Sequence, residues 1–135
     1  MSQATPFITF QPGRGQSAAD AMETYISLFP DGRVIEDQRY CAEGPGGEGT
    51  VVMAEFSVAG QRIRCSDSFI NHEWTITPAV SVMVDCDSTD EQRRLFEALS
   101  EGGSVAMPLD DYGFGPFGWV VDRFGVSWQL AAPAQ

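Results

Sequence analysis

The sequence predicts an α+β fold made of one β-α-β-β-β unit used twice. Three observations carry this. Ser17 and Ser88 each open a helix-like stretch, and 88 − 17 = 71. The same offset carries Asp20 onto Glu91, Tyr25 onto Phe96, Leu28 onto Leu99, Gly32 onto Gly103 and Val34 onto Val105. β-branched, alternating segments flank each helix in the same order, which is the period-2 signature of strands. Two such open sheets side by side, each with a helix on one face, predict a cup-like surface with the helices on its convex side. A cavity between duplicated halves is the place to look for function.

The elements follow in order. Residues 6–11 (PFITFQ) read as a strand, and Gly13 to Gly15 as a loop. Ser17 offers a hydroxyl to a first-turn N–H, and Asp20 adds a carboxylate where the helix dipole favours it. Ala18, Ala21, Met22, Tyr25, Leu28 and Phe29 recur at helical spacing until Pro30-Asp31-Gly32 stops them. Arg33–Tyr40 reads as a strand, and Ala42–Gly49, with four glycines and a proline, as a loop. Thr50–Val58 and Gln61–Ser66 form a hairpin across Ala59-Gly60. The second copy begins at Ala79–Cys86. Asp87-Ser88 caps a helix with Glu91 as reciprocal partner, and Leu95, Phe96, Ala98 and Leu99 form its apolar stripe. Ser104–Met107 is a strand, Pro108–Pro116 a loop, and Phe117–Val121 with Val126–Ala131 a closing hairpin around Asp122-Arg123-Phe124-Gly125. The 135 residues are thus expected to form a single domain: module one over about 5–67, a linker over about 68–77, and module two over about 78–132.

Composition narrows the chemistry. The net charge is −11, and all eight basic residues are arginine. Without lysine there is no side-chain Schiff base and no P-loop lysine. The acidic balance argues against nucleic acid as a partner. No apolar run approaches the ~20 residues a membrane helix needs, so no membrane partner is expected. The start MSQATPFITF lacks a basic n-region and a long apolar segment, so the expected location is cytoplasmic. Cys41, Cys65 and Cys86 are odd in number and far apart, which argues against a disulfide framework and a structural zinc; Cys65 and Cys86 read as small buried hydrophobes.

Several segments carry a resemblance to a known family. The paired β-α-β-β-β plan resembles the vicinal oxygen chelate superfamily of glyoxalase, bleomycin-resistance and ring-cleaving dioxygenase proteins. Tyr25-Ile26-Ser27-Leu28-Phe29-Pro30, the loop from Arg39-Tyr40 to Gly49, Val84-Asp85-Cys86, and Asp122 through Gln129 resemble its PhnB-like branch. That branch is often labelled 3-demethylubiquinone-9 3-methyltransferase. The resemblance implies a divalent metal held in the cup by first-strand and last-strand side chains. Carried over residue by residue, those positions fall on Ile8, Arg64, Ala79 and Gln129. Two are apolar and one is a permanent cation, so no metal and no cofactor is expected. The methyltransferase label would need a strand, a Gly-rich turn and a helix in a parallel α/β setting. Gly13-Arg14-Gly15-Gln16 imitates only the turn and reads as a surface loop.

Strand alternation then assigns candidate ligand-binding residues. Arg62, Arg64, Ser127, Gln129, Ala79, Ser81 and Met83 are expected to line the cup. Arg64 would hold an oxyanion, with Gln129 and Ser127 donating hydrogen bonds; the alternative is that both arginines pair with nearby carboxylates at a subunit contact. Trp74, Tyr112, Phe114 and Trp119 could roof a pocket or pack on a second chain. Trp128 reads as core, and Asp110-Asp111 as a turn. His72 is the one candidate base, if not a solvated loop residue. The expected function is small-molecule binding in a metal-free cup, as in bleomycin-resistance proteins, by a homodimer of the kind the resemblance implies. The alternative is a glyoxalase-type lyase or isomerase, or a dioxygenase-like enzyme, using a divalent metal or His72 acid–base chemistry.

Overall fold

Hydrophobic alternation and two capped helices build the same topology twice. The computed structural model describes residues 1–134. The chain divides into two units, Met1–Ile76 and Thr77–Gln135. The first contains β1 (Phe7–Phe10), a 3-10 turn (Pro12–Arg14), α1 (Ala18–Leu28), β2 (Arg33–Arg39), β3 (Val51–Val58) and β4 (Gln61–Asp67). The second contains β5 (Ser81–Asp85), α2 (Thr89–Ser100), β6 (Ser104–Asp111), β7 (Pro116–Val121) and β8 (Ser127–Ala131). Strand order is β1-β4-β3-β2 in one sheet and β5-β8-β7-β6 in the other. In each, the first strand pairs with the last in parallel and the remaining pairs are antiparallel.

The 71-residue spacing has a physical basis at both ends of the helices. Ser17 Oγ accepts from the Asp20 amide at 3.2 Å, and Ser88 Oγ from the Glu91 amide at 3.1 Å. Glu91 reaches back to accept from the Asp87 amide at 3.1 Å, so the second cap is reciprocal. Past the helices, Gly32 and Gly103 are required by close approach. A Cβ on Gly32 would lie 2.1 Å from the Ile26 carbonyl oxygen, and one on Gly103 would lie 2.2 Å from that of Val121.

Each helix covers one face of its own sheet. The rings of Tyr25 and Phe56 meet at 6.0 Å, which sets Phe56 and its cross-strand partner Ile63 on the α1 side. Ala54, Cys65 and Ile8 share that side by register. In the second sheet a Cβ on Gly118 would meet Phe96 of α2 at 2.9 Å. Its partner Leu130, with Trp128 and Val120, therefore faces α2, and all three are fully buried. Arg64, Ser127, Gln129, Ser81, Met83 and Trp119 lie on the opposite, helix-distal faces.

Two of the four positions transferred from the metal-binding pattern fall elsewhere. Ile8 pairs with Cys65 on the helix side, and Ala79 precedes β5, exposed. The cause is a difference in loop length. The 3-10 turn lengthens the β1–α1 connection, whereas β5 ends at Asp85, three residues before its cap. An offset read from the helices therefore carries core-facing Phe10 onto Ser81, which points the other way. The helix-facing residues of the two strands, Ile8 and Phe10 in β1 and Val82 and Val84 in β5, are related by even offsets, so an odd offset exchanges the faces.

Two further differences concern boundaries. β6 runs through Pro108 to Asp111, where the sequence suggested a loop from residue 108. As an edge strand it tolerates proline, and its pairing with β7 carries register shifts around Met107. Asp111 still organises the turn, its Oδ1 accepting from the Gly113 and Gly115 amides at 2.7 and 3.2 Å. The segment after Asp67 is bound into the first unit. Gln11 donates to the Trp74 carbonyl at 2.8 Å, Arg14 to the His72 carbonyl at 2.7 Å and Gln16 to Thr75 Oγ1 at 3.3 Å.

Candidate functional site

On the helix-distal face of the second sheet, four side chains form a continuous hydrogen-bonded chain. β8 supplies Ser127 and Gln129, β5 supplies Ser81, and β7 supplies Trp119, all placed by register. The Trp119 indole N–H donates to Ser127 Oγ at 2.7 Å. The Ser127 and Ser81 hydroxyls are hydrogen-bonded at 2.6 Å, and Gln129 Nε2 donates to Ser81 Oγ at 3.2 Å. Ser127 is fully buried, so it is best satisfied accepting from Trp119 and donating to Ser81. That direction leaves the Ser81 O–H as an outward donor and Gln129 Oε1 as an outward acceptor. Met83, more than half exposed, lies beside them across from Gln129.

The corresponding face of the first sheet is ionic. Glu55 on β3 is 1% exposed and accepts from Arg62 Nε and from Arg64 Nε, the latter at 2.8 Å. Arg64 therefore pairs with a carboxylate of its own chain, which it shares with Arg62. Hydrogen bonds from Arg62 first and Arg64 second hold the Glu55 carboxyl below its usual range. Unfolded, a glutamate titrates near ~4.3. The folded state thus binds fewer protons in acid, and this group adds stability above that pH which is lost as pH falls through the depressed value. Urea midpoints measured against pH are expected to show a Glu55→Gln deficit that is constant above about pH 5 and shrinks toward pH 3.

The other sequence-derived candidates separate. His72 sits in the first unit, its Nε2 2.8 Å from Ser68 Oγ and its ring stacked on Trp74 at 4.2 Å. Tyr112 lies in the β6–β7 hairpin with Phe114 and Phe117, its hydroxyl donating to the Pro108 carbonyl at 2.6 Å. It has no contact with the Trp119 chain among these interactions. Trp128 is core, donating to Asp122 at 3.0 Å. Burial pushes the thiols of Cys65 and Cys86 up to about 12 and about 11, so neither is a reactive thiolate at neutral pH. Sequence reasoning missed Glu55, because a lone glutamate in an apolar strand gives no sign of the arginines beside it. It also missed Ser81 as the link between Ser127 and Gln129.

Comparison with known proteins agrees with this architecture. The chain is similar in structure to a glyoxylase/bleomycin resistance protein/dioxygenase domain from Frankia sp. EAN1pec, with 12% identity, TM-score 0.63, and coverage of 100% of this chain and 94% of that one. It is similar to the fosfomycin resistance protein FosX from Listeria monocytogenes, solved with Mn(II), with 12% identity, TM-score 0.62, and coverage of 99% and 95%. The fold is thus that of the glyoxalase/bleomycin-resistance/dioxygenase structures. A PhnB protein from Bacillus cereus is 41% identical, with TM-score 0.89 and coverage of 98% of this chain and 100% of that one. The family model for 3-demethylubiquinone-9 3-methyltransferase matches residues 2–131, and the chain belongs to this PhnB-like family. No curated protein matches it.

The groups that fold and family suggest do not fit these residues. Among the described residues no three His, Cys, Asp or Glu side chains gather as a ligand set. Glu55 is occupied by two guanidiniums, which repel a cation, and Gln129 is a single neutral oxygen donor. A nucleoside-type methyl donor fares no better at the Gly13–Gly15 turn. The α1 N-terminus beyond it is filled by Ser17 and by Asp67, whose Oδ1 accepts from the Ala18 amide at 2.9 Å.

Proposed function

We propose that this protein binds a small, neutral, flat molecule on the helix-distal face of its second sheet, without a metal. The carrying observation is the Trp119–Ser127–Ser81–Gln129 chain, which ends in one outward donor and one outward acceptor beside an aromatic ring. A primary amide on a planar apolar body matches that pair: its carbonyl accepts from Ser81 and its N–H donates to Gln129 Oε1. Arg64 is a weaker anchor for an oxyanion than the sequence suggested, because Glu55 competes for it. In this reading Tyr112, whose hydroxyl is held by the Pro108 carbonyl, makes no direct contact with the amide.

The test is calorimetry with benzamide as probe. Gln129→Leu is expected to weaken binding about three- to tenfold, the worth of one neutral hydrogen bond. Prior dialysis against a chelator is expected to leave the affinity unchanged. Loss of binding on metal removal would favour the metal-dependent lyase reading instead.

The edge strand β2, with Val34 and Ile35 exposed, supports a homodimer, which a sedimentation mass equal to two chains would verify. The cytoplasm suits a protein whose three cysteines are all free.

A further inference from the structure

The first unit holds a cavity of about 350 Å³ that shares no residue with the sheet-face chain. Its walls include Gly13 and Arg14 from the 3-10 turn and Ser68, Phe69, Asn71 and His72 from the segment after β4. We propose that this cavity is a second binding site, for a small carboxylate with a flat apolar body, and that Arg14 is its anchor.

Charge is the first argument. Arg39, Arg62 and Arg64 each pair with a carboxylate. Arg14 forms no ion pair among the described residues; it donates only to neutral oxygens, the His72 carbonyl at 2.7 Å and Gln11 Oε1 at 3.2 Å. Those two bonds fix the guanidinium plane and leave further N–H donors of its five for a ligand. In a chain of net charge −11, a guanidinium held in place with no carboxylate beside it selects for an anion.

Geometry is the second. Ser68 Oγ and His72 Nε2 lie 2.8 Å apart, and stacking on Trp74 holds the imidazole in place. Ser68, His72 and the Asn71 amide add hydrogen-bonding capacity around the anion, while the Phe69 ring supplies an apolar wall. A Cβ on Gly13 would meet nothing within 4 Å, so the backbone there is open to close approach. The volume falls in the range of small-metabolite sites.

Benzoate and benzamide differ chiefly in charge, and amide NMR on the intact chain separates them. Benzoate is expected to shift the Gly13–Gly15 and Ser68–His72 amides saturably, at least tenfold more tightly than benzamide shifts the same amides. Arg14→Gln is expected to weaken benzoate binding at least tenfold, whereas Arg93→Gln, which removes the same charge from α2, leaves it unchanged. No saturable shift in the wild type, equal response to benzamide, or full-strength binding by Arg14→Gln would each overturn the proposal. Because the readout is confined to first-unit amides, failure here is distinguishable from failure of the sheet-face site.

Discussion

Replacing Asp122 with alanine is expected to destabilise the second unit by about 3–6 kcal/mol, since each buried donor left unsatisfied costs about 1–3 kcal/mol. Asp122 is 5% exposed. Its Oδ1 accepts from the Phe124 and Val126 amides, both at 2.9 Å, and its Oδ2 from the Trp128 indole at 3.0 Å. One carboxylate thus closes the β7–β8 turn and satisfies the polar atom of the largest side chain in the core. Alanine strands all three donors where water cannot easily reach them. A loss of that size is a large share of the ~5–15 kcal/mol that holds a domain folded. Urea unfolding followed by Trp fluorescence would measure it. A loss under about 1 kcal/mol would mean that these donors find new partners.

Asp67→Ala is expected to cost the first unit about 2–5 kcal/mol for the same reason. Asp67 Oδ1 accepts from the Ala18 amide at 2.9 Å and Oδ2 from the Val51 amide at 2.8 Å. The carboxylate therefore ties the start of α1, the start of β3 and the end of β4 together. It also faces the positive end of the helix dipole, which favours its charge. Asp67→Asn, which keeps one acceptor oxygen, should recover part of the loss. Equal stability of alanine and asparagine variants in urea would show that charge and geometry at this junction matter little.

The fold was legible because its determinants are local. Caps at Ser17 and Ser88, close-approach glycines at 32 and 103, and alternation in β3, β4, β7 and β8 are each written within a few residues. The repeat was legible in the helices and misleading one strand earlier, because the 3-10 turn changes the spacing and nothing in the residues announces the resulting change of face. In the sequence β6 ends before Pro108, since a proline reads as a break unless the strand is known to be an edge. Of the candidate site, alternation places Gln129 and Ser127 on one face, whereas Trp119 reads only as a pocket roof or a contact with a second chain; the structure joins all three. Ser81 as their link and Glu55 as the partner of Arg64 were not legible. Both depend on which strands are neighbours, a property of topology rather than of any segment.

In the proposed function the helix-distal face of the second sheet presents a matched donor and acceptor to a neutral ligand. The NMR signal of the Trp119 indole N–H, whose acceptor Ser127 is hydrogen-bonded to Ser81, reports on that face. Addition of benzamide is predicted to move that signal saturably, and the movement is predicted to weaken about three- to tenfold in Ser81→Ala, as expected for one neutral hydrogen bond. A Trp119 indole signal unmoved by benzamide, or moved with the same affinity once the Ser81 hydroxyl is gone, would rule out amide binding at this face.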